Sequence, residues 1–224
     1  MRLSEATELP FKLGAQLRHR RAFHPVGVLA GGTVERVAPQ GEGLPVEAGD
    51  VIGRLSKGIG LRGGLPDFAG LAWRMHTGPS DATAWDVLMV SAGSSALGRV
   101  ALRPATSWSG VTFSTLMPLG YGGRSWWLRA RIVEPQFGGG LALESLSEAL
   151  RAREPIRVAV DQSRGLGDFT PLATLTFTDL EPAAEQHELA MDPTAHSAPG
   201  VDLQPRWLTA LRRGAYRGSR KGRD

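Results

Sequence analysis

The sequence predicts an α+β fold that is mainly antiparallel β, closed or nearly closed into a barrel and flanked by a few helices. Two observations carry this expectation. Gly and Pro are frequent, at 29 and 15 of 224 residues, which favours turns and short strands over long helices. Short runs of aliphatic and β-branched residues also follow one another at close spacing, with few helical patterns between them.

Taken in order, residues 1–20 read as a leader helix, with Leu9, Phe11, Leu13 and Leu17 set between charges. His24 to Val37 reads as a long strand whose glycines permit bending. Pro39 to Gly49 is a loop, and Val51 to Ser56 a short strand. The glycine-rich loop Gly58-Ile-Gly-Leu-Arg-Gly-Gly-Leu-Pro-Asp67 follows, then strands over Leu71–His76 and Ala84–Ser91. Ala105–Leu116 is expected as a short helix. Trp126–Val133 is a strand, Leu141–Arg151 an amphipathic helix, and Ile156–Gln162 and Leu172–Phe177 two further strands. No internal repeat is visible. The whole reads as one domain. A barrel core spans 1–179, an acidic linker or lid 180–204, and a basic C-terminal helix 205–224 opens at Pro205, a favoured first-turn residue.

Composition narrows the chemistry. The chain has no Cys, so disulfides, thiolate catalysis, cysteine-ligated zinc and iron–sulfur clusters are excluded. The N-terminal residues lack an apolar signal core, and no window reaches 18 uncharged apolar residues, so the expectation is a cytoplasmic protein without a membrane span. The net charge of +4 is unevenly placed. Residues 165–205 hold no Lys or Arg and seven acids, whereas Arg206, Arg212, Arg213, Arg217, Arg220, Lys221 and Arg223 crowd the end. Such a tail can bind nucleic acid or an anionic surface, but no helix-turn-helix or RNA-binding signature precedes it, and the acidic segment can neutralise it.

On a helix, Arg212, Tyr216, Ser219 and Arg223 share one face. A phenol titrates near pH 10, and a fixed positive charge or a metal is what converts it to phenolate. This face supplies the charge. The five histidines, His19, His24, His76, His187 and His196, show no metal-site spacing. Asp67, Asp81 and Asp86 read as turn or strand-end residues. No nucleophile elbow, phosphate loop or dinucleotide fingerprint is present.

The remaining motifs are Arg21-x-x-His24-x-x-Gly27, Arg54-Leu-Ser56, the run Asp67-Phe-Ala-Gly70-Leu-Ala, and Trp85-Asp86-Val-Leu. With Arg212-x-x-x-Tyr216-x-x-Ser219-x-x-x-Arg223 they form an ordered set that resembles the haem catalase superfamily, over roughly residues 15–95 and 205–223. The chain is far shorter than a typical catalase, so it looks like a small, minimal catalase-like protein.

The resemblance implies haem b as cofactor. Tyr216 would be the proximal iron ligand and Arg212 the partner that keeps its phenolate anionic. Arg21, Arg54 and Arg223 would pair with the haem propionates. His24 would stand over the distal face, and Ser56 would hold its tautomer. Substrates would be hydrogen peroxide or an organic hydroperoxide with an electron donor, and the protein a possible homo-oligomer with no specific nucleic-acid partner.

Three positions depart from the pattern. The distal Asn is replaced by Val90, followed by Ser91 and Ala92, with Ser91 a candidate for a weaker hydrogen bond. Pro25 follows His24 where a small residue is usual, and Phe113 is the candidate aromatic for packing on the ring. The reading that fits is a peroxidase with weak catalase turnover. Alternatives are a non-redox barrel that carries haem or bears a phosphodiesterase label, a haem-dependent rearrangement of fatty-acid hydroperoxides, and a basic-tailed adaptor.

Overall fold

A computed structural model of the chain describes residues 26–76, 84–93, 95, 98–182 and 191–205. Ten strands form one sheet: β1 (Val26–Arg36), β2 (Gly49–Lys57), β3 (Ala69–His76), β4 (Ala84–Ser91), β5 (Phe113–Ser114), β6 (Leu119–Tyr121), β7 (Arg124–Glu134), β8 (Ile156–Arg164), β9 (Thr170–Leu180) and β10 (Asp202–Leu203). Among the described residues one α-helix, α1 (Leu143–Arg151), accompanies them. The sheet order is β10-β6-β7-β5-β4-β3-β2-β1-β9-β8, and a further ladder between β7 and β8 closes it. Eight strands, β1-β2-β3-β4-β5-β7-β8-β9, therefore make an antiparallel barrel, with β6 and β10 as an extension beside β7.

Alternation along each strand separates the two faces of the wall. Val28, Ala30 and Val34 of β1 point inward, as do Val51, Gly53 and Leu55 of β2 and Leu71, Trp73 and Met75 of β3. Trp85, Val87 and Met89 of β4, Phe113, Leu128, Ala130 and Ile132, Val158 and Val160, and Leu175 and Phe177 complete the interior. The barrel is thus filled by side chains, as expected for eight strands. Gly53 is the complement of Phe177: a Cβ at residue 53 would lie 2.1 Å from the ring.

The loop after β1 carries Leu44 and Val46 into the core. Arg36 holds it there, its guanidinium donating to the carbonyls of Pro39, Glu42, Leu44 and Val46. α1 buries Leu146, Ala149 and Leu150 against β9, β1 and β8. Glu144 in its first turn and Arg151 in its last both complement the helix dipole.

The helix expected over Ala105–Leu116 is not formed. Ala105 bridges Asp67, Gly110 adopts φ +80, and Phe113–Ser114 enter the sheet as β5. Trp108 is wholly buried, with its indole N–H donating to the Ala142 carbonyl at 2.9 Å. Tertiary burial of Trp108 and Phe113 outweighs a weak local helical pattern. The strands β6 and β10 were not expected. Residues 191–204, within the stretch read as linker or lid, pack on the barrel: Val201 and Ala198 join the core, and Gln204 accepts a bond from Ser125 Oγ. The leader helix and the C-terminal helix lie outside the described residues.

Replacing Gly53 by Ala is expected to displace the Phe177 ring and cost about 1–3 kcal/mol. Gly49→Ala, where no atom lies within 4 Å of the added Cβ, is the control. Urea unfolding of both variants checks this; equal midpoints would contradict the packing described.

Candidate functional site

The outer face of β1–β4 carries Gly27, Arg54, Ser56, Gly70, Ala72 and Asp86 of the motifs, whereas Leu71 and Trp85 point into the barrel and Asp67 lies in the β2–β3 loop. Its register places Gly27 beside Ser56, Ser56 beside Gly70, Gly70 beside Val90, and Val90 beside Ser114. The next outward row is Leu29, Arg54, Ala72 and Leu88. One row further lie Gly31, Ile52, Arg74 and Asp86. Two of these rows are built mostly of Gly, Ala, Ser, Val and Leu, so the wall is low, with one cation rising from it.

That cation is Arg54. A Cβ on Gly27 would sit 3.1 Å from the Arg54 guanidinium carbon and 2.9 Å from Ser56 Cβ. The absent side chain at residue 27 is therefore what lets the guanidinium and the serine lie together. Ser56 is buried and Arg54 half-buried. Burial pushes the Arg54 guanidinium below its ordinary value. A desolvated guanidinium of this kind suits a carboxylate partner, whose charge and planar geometry both match it.

Arg54 and Ser56 thus sit on adjacent rows of one face. Arg21, His24, Arg212, Tyr216 and Arg223 lie outside the described residues. Val90 lies in the same row as Ser56 and offers no hydrogen-bond donor. Ser91 points the other way: its hydroxyl accepts from Ala69 N at 3.0 Å and donates to the Arg103 carbonyl at 2.7 Å. Its proton is committed inside the barrel wall, which removes it as a donor on the outer face. Phe113 is also corrected. It is fully buried in the barrel interior, because Ser114, one residue on, takes the outward position opposite Val90.

Two aspartates frame this wall. Asp67 accepts from the backbone N–H groups of Ile59, Gly60, Leu61 and Phe68 at 2.7–2.9 Å. Burial alone would raise its carboxyl, but those four donors prevail and hold it below the usual carboxylate range. Together with the buried Lys57, whose Nζ donates to the Gly63 carbonyl at 2.7 Å, Asp67 fixes the loop between β2 and β3. This is the turn chemistry expected for it.

Asp86 does more than mark a strand end. Its buried carboxylate takes both arms of Arg74, Nε at 2.6 Å and Nη2 at 2.7 Å. It also accepts the Asp192 backbone N–H at 2.6 Å and meets His196 Nδ1 at 2.9 Å. Hydrogen bonding to Asp86 raises the Arg74 guanidinium further above its ordinary value. The signal for this pair was available: in a β3–β4 hairpin Arg74 and Asp86 are directly opposed. The contact with residues 192–196 spans over a hundred positions and leaves no local trace.

No family model matches the chain, and no curated protein matches it at a significant level. Solved structures do. A bacterial catalase is similar with a TM-score of 0.63 at 13% identity, over 95% of this chain and 59% of the catalase. A fungal catalase is similar with a TM-score of 0.66 at 12% identity, over 91% of this chain and 59% of that one. The fold is therefore catalase-like, and the chain spans about three fifths of the length of these catalases.

Asp67→Asn is expected to weaken the protein by about 1.5–3 kcal/mol near neutrality, the worth of hydrogen bonds to a charged group. The folded carboxyl lies below its unfolded value of about 3.9, so the wild-type advantage is complete above that pH. It disappears only as pH falls through the lower folded value. Urea midpoints of both proteins from pH 7 to pH 3 check this; a difference that widens on acidification would contradict it.

Proposed function

We propose that the chain is a haem-dependent peroxide-handling protein, a peroxidase with weak catalase turnover. The observation that carries the proposal is the juxtaposition of Arg54, Ser56 and Gly27 on the outer wall of a catalase-like barrel. The residues fit the group. Gly27, Gly70 and Ala72 keep the wall low enough for a flat macrocycle, and a half-buried guanidinium at its edge suits a propionate.

In this reading Arg54, Arg21 and Arg223 hold the propionates. Tyr216 would hold the iron through its phenolate oxygen, and Arg212 would stabilise that phenolate by charge and hydrogen bonding. Bound there, haem would supply a redox-active iron at which a peroxide is cleaved. The remaining roles belong to the chain. An imidazole nitrogen of His24 takes a proton from one peroxide oxygen and returns it to the other, a general acid–base contribution of about two to four decades. The Ser56 hydroxyl fixes the His24 tautomer.

Val90 presents only methyl groups where an amide would orient a second peroxide, and the Ser91 proton is occupied by Arg103. Peroxide-dependent oxidation of an organic donor is therefore favoured over peroxide disproportionation.

Haemin titration followed by absorption tests the proposal on the full chain. The expected result is a saturable Soret band with tyrosinate charge-transfer features, lost or shifted in Tyr216→Phe. Arg54→Gln, which removes the guanidinium without adding bulk to the wall, is expected to weaken haemin binding at least tenfold while the protein remains folded by circular dichroism. Free-haemin spectra with wild type would overturn the reading, and phosphoester and nucleic-acid assays would come next.

A further inference from the structure

The loop between β2 and β3 presents aliphatic side chains to water. Ile59 is 54% exposed, Leu61 40% and Leu65 56%. Val26, the first residue of β1, is 45% exposed and pairs with Lys57 at the same end of the barrel. Single exposed aliphatics are ordinary on a protein surface. Four gathered at one end are a patch that something apolar is expected to cover.

Hydrogen bonds hold the loop in this form. Asp67 accepts the backbone N–H groups of Ile59, Gly60 and Leu61, and Lys57 Nζ holds the Gly63 carbonyl. Gly58 N–H donates to the Phe68 carbonyl at 2.6 Å, and the Gly64 carbonyl accepts from Leu141 N–H at 3.2 Å. Gly60 and Gly63 adopt φ +83 and +58, where glycine carries no steric penalty. The backbone is thus committed to the barrel, and the side chains of Ile59, Leu61 and Leu65 are left outside it. Water solvates such groups poorly, and an apolar phase that covers them is favoured.

The charge at this end has one sign. Arg62 is exposed, and so is Arg103 in the segment that bridges Asp67 through Ala105. Backbone bonds link residues 57–66, 102–107 and 136–141 to one another or to Asp67, and none of these segments contains Asp or Glu. The run that leads into Val26, residues 18–25, holds Arg18, Arg20 and Arg21 and no acid. A second copy docked on this end would oppose cation to cation, and the chain's own N-terminal run carries the same sign. The complement of aliphatic tips set among guanidiniums is a surface that is anionic outside and apolar within. An anionic bilayer has that layering: aliphatic groups enter the acyl boundary while guanidiniums stay among headgroup phosphates. We propose that this end of the barrel docks on the surface of an anionic lipid bilayer through Ile59, Leu61 and Leu65, with Arg62 and Arg103 at the headgroups.

The test uses the full chain as purified, without haemin, so that its outcome is separate from haem binding. Flotation is measured with vesicles of phosphatidylcholine alone and with vesicles that contain about a third phosphatidylserine. The expected result is saturable binding to the anionic vesicles, at least tenfold tighter than to phosphatidylcholine. Ile59→Ser, Leu61→Ser and Leu65→Ser combined should weaken that binding at least tenfold with an unchanged urea midpoint, because Asp67 bonds the backbone there and not these side chains. Leu65→Ser alone should weaken it by a smaller factor. Arg62→Gln should flatten its salt dependence. Leu166→Ser, in the turn between β8 and β9 and 73% exposed, should bind as wild type does. The proposal is overturned if neither vesicle binds or if both bind alike. It is overturned if the triple variant and Leu65→Ser bind as wild type does, which would assign the vesicle to the basic chain ends. It is equally overturned if sedimentation velocity shows a dimer that the triple variant abolishes, which would assign the patch to a second copy.

Discussion

Closure of the sheet through the β7–β8 ladder is the constraint on which the rest of this protein depends. From Trp126 paired with Arg164 to Glu134 paired with Arg157, that ladder joins the two edges that an open sheet would expose. Once the sheet is closed, the side-chain period of two has a single meaning at every strand. One set of residues fills the interior with Trp73, Trp85, Phe113 and Phe177, and the other set can only face outward. Gly53 shows how tight that interior is, since its lack of a side chain is what admits the Phe177 ring.

The outer set then divides by chemistry. Across β1–β4 it is low and largely uncharged, with Arg54 as the cation beside Gly27 and Ser56. Its boundary is set by two carboxylates, Asp67 at the β2–β3 loop and Asp86 beneath residues 192–196. Halfway round the barrel, β7 and β8 present stacked arginines and aromatics instead. Both sides use buried or half-buried guanidinium, and both obtain it the same way. An alternate residue of a strand, or a turn packed on it, directs Arg against a surface that water cannot fully reach. A desolvated guanidinium interacts more strongly with an anion than a hydrated one does.

Much of the barrel was legible because its signals are local. The runs behind β1, β2, β3, β4, β7, β8 and β9 and the helix α1 announce themselves by composition and periodicity, and Asp67 by turn chemistry. β5, β6 and β10 are two or three residues long, too short to carry a period, and are fixed by their neighbours. Ala105–Leu116 looked helical because nothing local reveals that Trp108 and Phe113 belong to the core. For the site, Arg54 and Ser56 are two apart on a strand, the spacing that puts both side chains on one face. The inward turn of Ser91 and Phe113 followed from a register that only the closed sheet sets. The partners of Asp86 and the stacking of Arg99 on Phe169 are long-range meetings that no motif encodes.

The central claim is that the outer wall of β1–β4 is a haem wall. A crystal structure of the full chain grown with haemin, with diffraction collected at the iron edge, tests it most directly. The account predicts one anomalous peak outside the barrel, over the row Gly27, Ser56, Gly70 and Val90, with a propionate on Arg54. A peak elsewhere on the molecule, or haemin-grown crystals with that wall bare, would contradict it.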